Sequence, residues 1–196
     1  MPEARPLHVI VFDLAHALDA QRLPREIFAR APSTLAAGLS RRRFSHRVGP
    51  VAPRMPVERT LAQVADIGYK EVEFAGYMNR PPRAIRQLLD QDGLSAPAAH
   101  LGMEKIRDGW SRTLNDAAEI GHKWLVIASL NSSDRDSVDA VKRTAETLNK
   151  AAADAKLYKI RLAYHNHDVE FREINGQRMF DVLLQEVSPE VLQIEM

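Results

Sequence analysis

The sequence predicts an α/β fold, a partial (β/α)₈ barrel in which roughly strands two to six of the eight are recognisable. Three observations carry this reading. Helical apolar faces end at a glycine and are each followed by a short apolar strand. No glycine-rich phosphate loop follows any strand, which removes the usual signature of a nucleotide-binding open sheet. Polar side chains gather at the carboxyl ends of the strands, where a barrel carries its active site.

The regular pattern begins at Val57. Leu61, Val64 and Ala65 form a helical face that ends at Gly68, and Glu71-Val72-Glu73-Phe74 reads as the next strand. Ile85, Leu88 and Leu89 repeat the helix, Gly93 ends it, and Ala96 to His100 is the following strand. A third helix carries Leu114, Ala117 and Ala118, ends at Gly121, and leads to the strand Trp124 to Ala128. A fourth, with Val138, Val141, Ala145 and Leu148, is expected from Asp134 to Ala155; its end, Leu157-Tyr158-Lys159, lacks the glycine. The strand Ile160 to Tyr164 comes next, then a helix around Met179 to Glu186 and a strand Val191 to Glu195.

Residues 1–56 are chemically different. They hold seven of the 11 prolines, no lysine, nine arginines and four acids, a charge of +5 that leaves −4 for the rest of a chain whose total is +1. Leu7 to Leu14 could supply one strand and Leu14 to Leu23 one helix, but the prolines argue for irregular or poorly packed structure. Two domains are therefore expected: an atypical Pro/Arg-rich segment at 1–56 and the barrel domain at 57–196.

With 45% hydrophobic residues the chain can bury a substantial core. It has no cysteine, so disulfides and thiolate metal sites are excluded. Its slightly acidic barrel domain argues against gripping nucleic acid, and no apolar run approaches the roughly 20 residues of a membrane helix. The expected partner is a small molecule. Ser40-Arg41-Arg42-Arg43-Phe44 resembles the start of a twin-arginine signal, yet His46, Arg47, Pro50 and Arg54 follow where an apolar stretch should stand. The expected location is cytoplasmic; the alternative is periplasmic, by twin-arginine export of a longer parent.

The chemistry concentrates in Tyr164-His165-Asn166-His167-Asp168-Val169-Glu170-Phe171. Residues two apart on a strand share a face, so His165 and His167 point the same way, and a loop beyond them lets Glu170 return to the same spot. Nitrogen and oxygen donors of this kind suit a divalent metal. A lone histidine is more often a packed core residue; two with a carboxylate at one strand end favour a site, because buried imidazoles are costly without partners. Glu73 is expected to face the barrel interior and His100 to lie at the same rim, both as substrate contacts. Trp110 and Trp124 read as packing residues, and His8, His16, His46 and His122 fall outside any constellation.

Gly68-Tyr69-Lys70-Glu71-Val72-Glu73-Phe74-Ala75-Gly76-Tyr77, Ala98-Ala99-His100, and Tyr164-His165-Asn166-His167-Asp168 with Glu170-Phe171 resemble the sugar phosphate isomerase/epimerase family of xylose isomerase-like TIM barrels. The resemblance runs from about Val57 to Met196 and rests on the order and separation of these segments. It implies a divalent metal at the barrel mouth (Mn, Zn, Mg or Co), a sugar or keto-sugar substrate, and isomerase or epimerase chemistry that starts by removing a proton next to a carbonyl. Under it, His165 and Glu170 are the expected catalytic residues, His165, His167 and Glu170 the metal ligands, and Glu73, His100 and His167 the substrate contacts.

The chain departs from that family in two places. The first strand should lie shortly before Val57, where Ser40 to Pro56 is unlike a strand; and the pattern continues past Ile194-Glu195-Met196 to an aspartate ligand and further strands. The chain therefore reads as a fragment, with residues 1–56 a frameshifted or misassigned translation of the first barrel unit. Neighbouring DNA lacking a barrel-like first strand in every frame would refute this. The alternatives are a 3-keto-glycoside lyase or hydrolase of the same barrel family, and a catalytically incomplete fragment. A related branch that cleaves DNA at abasic sites resembles the chain less, since more histidines and a basic groove would be expected.

Overall fold

The computed structural model describes residues 11–12, 56–188 and 192–195. The helix expected at Leu14 to Leu23, the arginine run and the irregular character of the early segment lie outside the described residues. Of the strand expected at Leu7 to Leu14, Val11–Phe12 is present as β1.

The β/α succession follows as the sequence predicts. Helix α1 (Val57–Ile67) leads to β2 (Glu71–Phe74), and α2 (Pro82–Asp92) to β3 (Ser95–Leu101). A short α3 (Met103–Arg107), not foreseen, precedes α4 (Trp110–Ile120) and β4 (Trp124–Ile127). Ile120, rather than Ala118, completes the buried face of α4 with Leu114 and Ala117. Beyond β4 the expected single helix is two: α5 (Ser132–Arg135) and α6 (Val138–Leu157). Ser137 divides them, because its side chain accepts a hydrogen bond from the Ala140 amide at 3.1 Å and so starts a new helix. Then come β5 (Arg161–His165), a 3₁₀ turn at Val169–Phe171, the hairpin β6 (Glu173–Ile174) and β7 (Gln177–Arg178), α7 (Met179–Glu186) and β8 (Leu192–Glu195).

The helix ends have distinct chemistry. Gly68 closes α1 in the left-handed region at φ 106°, its amide bonding the Ala65 carbonyl at 2.9 Å. At the end of α6, where the glycine is missing, Lys159 takes the left-handed conformation at φ 59° and the chain still turns into β5.

The main sheet is parallel throughout, in the order β1-β2-β3-β4-β5-β8, and among the described residues it does not close into a barrel. The strand beside β2 is Val11–Phe12, in register Val11 to Glu73, and not a segment shortly before Val57. Helices cover the outer face. Ile85, Leu89, Leu114, Ala117, Leu148 and Ala155 meet Val72, Phe74, Leu125, Ile127, Leu162 and Tyr164 in one hydrophobic core. Full burial of each large apolar side chain contributes about 1.5–3 kcal/mol against the entropy of ordering the chain. On β2, Val72 and Phe74 are buried among the helices while Glu71 and Glu73 alternate to the other face. That alternation aims Glu73 at the concave side.

Candidate functional site

The sheet's curvature assembles the site. His100 ends the inward row of β3, His165 ends β5, and Glu195 ends β8 in register beside His165. Along the sheet, β3 and β8 are three strand spacings apart, roughly 14 Å. Across the concave face their side chains meet: His100 Nε2 is 2.8 Å from Glu195 Oε2, and His165 Nδ1 is 3.1 Å from the same oxygen. Only a sheet rolled strongly toward a barrel brings such ends together. The two imidazole rings sit with centroids 5.2 Å apart.

One donor atom from each of His100, His165 and Glu195 lies within 4.8 Å of the others, a spacing that can hold a metal ion. Glu73 closes the group from β2, with Oε1 3.0 Å from His100 Nε2. Nε2 can carry a single proton, and hydrogen-bond geometry is met toward Glu195. The buried Glu73 Oε1 is thus left with no hydrogen-bond donor among the described residues. Both carboxylates act on the imidazole: burial lowers the basicity of His100, but the two acidic groups beside it, Glu73 at 3.0 Å and Glu195 at 2.8 Å, outweigh it and raise its pKa above the ordinary value.

His167 and Glu170 occupy different positions. The exposed His167 ring stands edge-on to His165, with centroids 5.1 Å apart. Glu170 is buried and does not reach the His100–His165–Glu195 group. Its Oε1 accepts the Tyr164 hydroxyl at 2.7 Å and its Oε2 accepts the His167 amide at 2.7 Å. The expected set of His165, His167 and Glu170 as three ligands is therefore not what the structure draws together; His165 instead joins His100 and Glu195. The reason is local: the 3₁₀ turn at Val169–Phe171 carries Glu170 under the loop, toward the helix-facing Tyr164.

Glu195 is the residue that sequence reasoning passed over. Its signal was its place at the end of a strand following the histidine strand, which puts it beside His165 if the two pair in parallel. His122, given no functional weight, is buried away from the rim. Its Nδ1 donates to the Ala96 carbonyl at 2.6 Å and its Nε2 accepts the Tyr77 hydroxyl at 2.9 Å.

No family model matches the sequence, and no curated protein matches it. Solved structures do match in fold. A sugar phosphate isomerase/epimerase from Parabacteroides distasonis ATCC 8503 superposes with a TM-score of 0.62 and 23% identity, over 70% of this chain and 58% of that one. An AP endonuclease, family 2, from Brucella melitensis gives 0.58 and 16%, over 72% and 63%. A xylose isomerase domain containing protein from Salmonella typhimurium LT2 gives 0.54 and 18%, over 73% and 56%. This chain thus spans less than two thirds of the length of each. With its parallel strands, outer helices and polar carboxyl-end rim, the chain has the fold of xylose isomerase-like TIM barrels, with the sheet open among the described residues.

Proposed function

We propose that the rim formed by Glu73, His100, His165 and Glu195 is the active site of a metal-assisted isomerase or epimerase acting on a sugar or keto-sugar. The observation that carries this reading is the convergence of His100 Nε2, His165 Nδ1 and Glu195 Oε2 beside a buried Glu73 oxygen that has no hydrogen-bond donor among the described residues. Acceptor atoms crowded together in a half-buried place are costly unless a cation or a proton sits among them. Two imidazoles and a carboxylate are a donor set that zinc, manganese and related divalent ions accept. The residues fit such an ion, and His100, His165 and Glu195 would hold it. The likeness to sugar isomerase/epimerase structures supports the substrate class at the level of fold.

A bound divalent ion would supply Lewis-acid polarisation of a substrate carbonyl and its neighbouring hydroxyl. The protein's own groups do the rest. Glu73, its side chain only 12% exposed and its Oε1 without a hydrogen-bond donor among the described residues, takes the proton from the carbon next to the carbonyl. The C–H electron pair becomes a carbon–carbon double bond as the C=O π pair moves onto oxygen; the proton then returns to the other face of the same carbon, or to the former carbonyl carbon as the neighbouring hydroxyl gives up its proton and becomes the new carbonyl. His167, exposed at the entrance, donates to or accepts from substrate hydroxyls.

The test is solvent exchange. Candidate keto-sugars are incubated in D₂O with the protein and Mn²⁺, and loss of the α-proton signal is followed by NMR. Exchange that disappears in Glu73→Gln while metal binding persists supports the assignment. Exchange that is unchanged in Glu73→Gln removes Glu73 as the base. Products of lower mass than the substrate would indicate elimination in place of isomerisation.

A further inference from the structure

The rim loop after β5 is fixed from below by a buried pair. Tyr164 is fully buried at 0% exposure and Glu170 is 2% exposed, yet one carries a hydroxyl and the other a carboxylate. Each satisfies the other: the Tyr164 hydroxyl donates to Glu170 Oε1 at 2.7 Å. The second carboxylate oxygen reaches the backbone, where Oε2 accepts the His167 amide at 2.7 Å.

The geometry points to Glu170 as a positioning residue: with Tyr164 it sets the path of residues 166–168, and so holds the His167 ring against His165 without touching any group at the rim. Three consequences of the contacts support this. Tyr164 lies on β5 immediately before His165, so the pair ties the loop to the same rigid strand that bears the site histidine. The amide that Glu170 grips belongs to His167 itself. The Phe171 amide also bonds the Asp168 carbonyl at 3.2 Å and the Arg172 amide the Val169 carbonyl at 3.3 Å, so the turn bearing Glu170 is itself closed. Removing either partner leaves a buried polar group without its mate, a cost that loop rearrangement relieves. The claim about loop geometry stands without a metal; only its consequence for ion affinity rests on the proposed function.

Imidazole NMR of the whole chain tests it, comparing the parent with Glu170→Met and Tyr164→Phe. In Glu170→Met a side chain of similar length offers no carboxylate oxygen to either the Tyr164 hydroxyl or the His167 amide. In Tyr164→Phe the ring that replaces the phenol offers Glu170 no donor. In both variants the His165 and His167 ring signals should shift and the His167 amide should lose its protection from exchange, while buried His122 stays in place as an internal control of folding. Zn²⁺ affinity should fall about tenfold, as for residues that orient ligands from behind. Unchanged His165 and His167 signals in a variant that melts earlier would overturn the proposal and leave the pair a stability element only. If one variant loses the His122 signal and so fails to fold, the other decides. Absence of Zn²⁺ binding by the parent itself would count against the proposed function, and the ring and amide signals would still decide the positioning role.

Discussion

His100 Nε2 and Glu195 Oε2 are 2.8 Å apart although their strands are separated by two others in the sheet. That contact records the curvature of the sheet more directly than any backbone measure. It also makes the site depend on the fold: flattening the sheet would part the two side chains. Substitution of a core residue that supports the roll should therefore disturb the site at a distance. Leu148→Ala, at a position of 0% exposure on α6, should cost about 2–5 kcal/mol in urea unfolding and weaken metal binding with it. Unaltered affinity in a measurably destabilised variant would show the rim to be independent of that packing.

Acid should destabilise the protein through His122. Burial, aided by the charge of Arg86 and opposed by the Ala96 carbonyl, lowers its pKa from 6.5 to about 4. As pH falls below about 6.5 the unfolded chain takes up a proton that the folded one refuses, so stability drops across the window down to about 4 and levels off beneath it. The full effect is on the order of 3 kcal/mol. His100, whose pKa is raised, works in the opposite sense, its contribution being present at low pH and lost as pH rises through its folded value. Comparing the parent with His122→Gln isolates the first effect: the variant's stability should vary less between pH 7 and pH 4. Equal slopes would contradict the buried neutral imidazole.

Tyr77 supports the same histidine. Its hydroxyl bonds His122 Nε2 at 2.9 Å and its ring stacks on the imidazole with centroids 5.9 Å apart. Tyr77→Phe keeps the stack and deletes the donor, and should cost about 1 kcal/mol. A loss much larger than this in thermal unfolding would mean that the ring itself had moved.

Lys159 should accept glycine with a gain. It holds φ 59° at the end of α6, in the left-handed region where a side chain is strained. Lys159→Gly should stabilise the protein by a few tenths to about 1 kcal/mol, the relief of strain outweighing the added freedom of the unfolded chain. Destabilisation would show that Lys159 makes contacts worth more than its strain.

Much of the fold was legible because each helix and strand announces itself locally. Gly68, Gly93 and Gly121 end helices as their positions suggest, and Met179–Glu186 is the helix that was expected there. Two further features could have been read. Ser137 is an N-cap residue inside an apparently continuous pattern, and Asn175-Gly176, with φ 52° and 76°, is the turn pair that signals the hairpin of β6 and β7. The site was legible only in part. Strand alternation placed Glu73 on the inner face and strand ends placed His100 and His165 at the rim, but which of them meet depends on how far the sheet rolls, a tertiary property without a local signature. Proximity in sequence drew Glu170 toward His165, whereas the 3₁₀ turn sends it to Tyr164; Glu195, thirty residues from His165, lies beside it through strand pairing.

The most direct test of the site is a calorimetric titration of the metal-free chain with Zn²⁺ near neutral pH, repeated on Glu195→Gln and His100→Ala. The parent should bind one ion per chain saturably, and both variants should lose that binding or fall at least about tenfold in affinity. Absence of binding by the folded parent, or affinity unaffected by both substitutions, would contradict the assignment of His100, His165 and Glu195 as the metal-holding group.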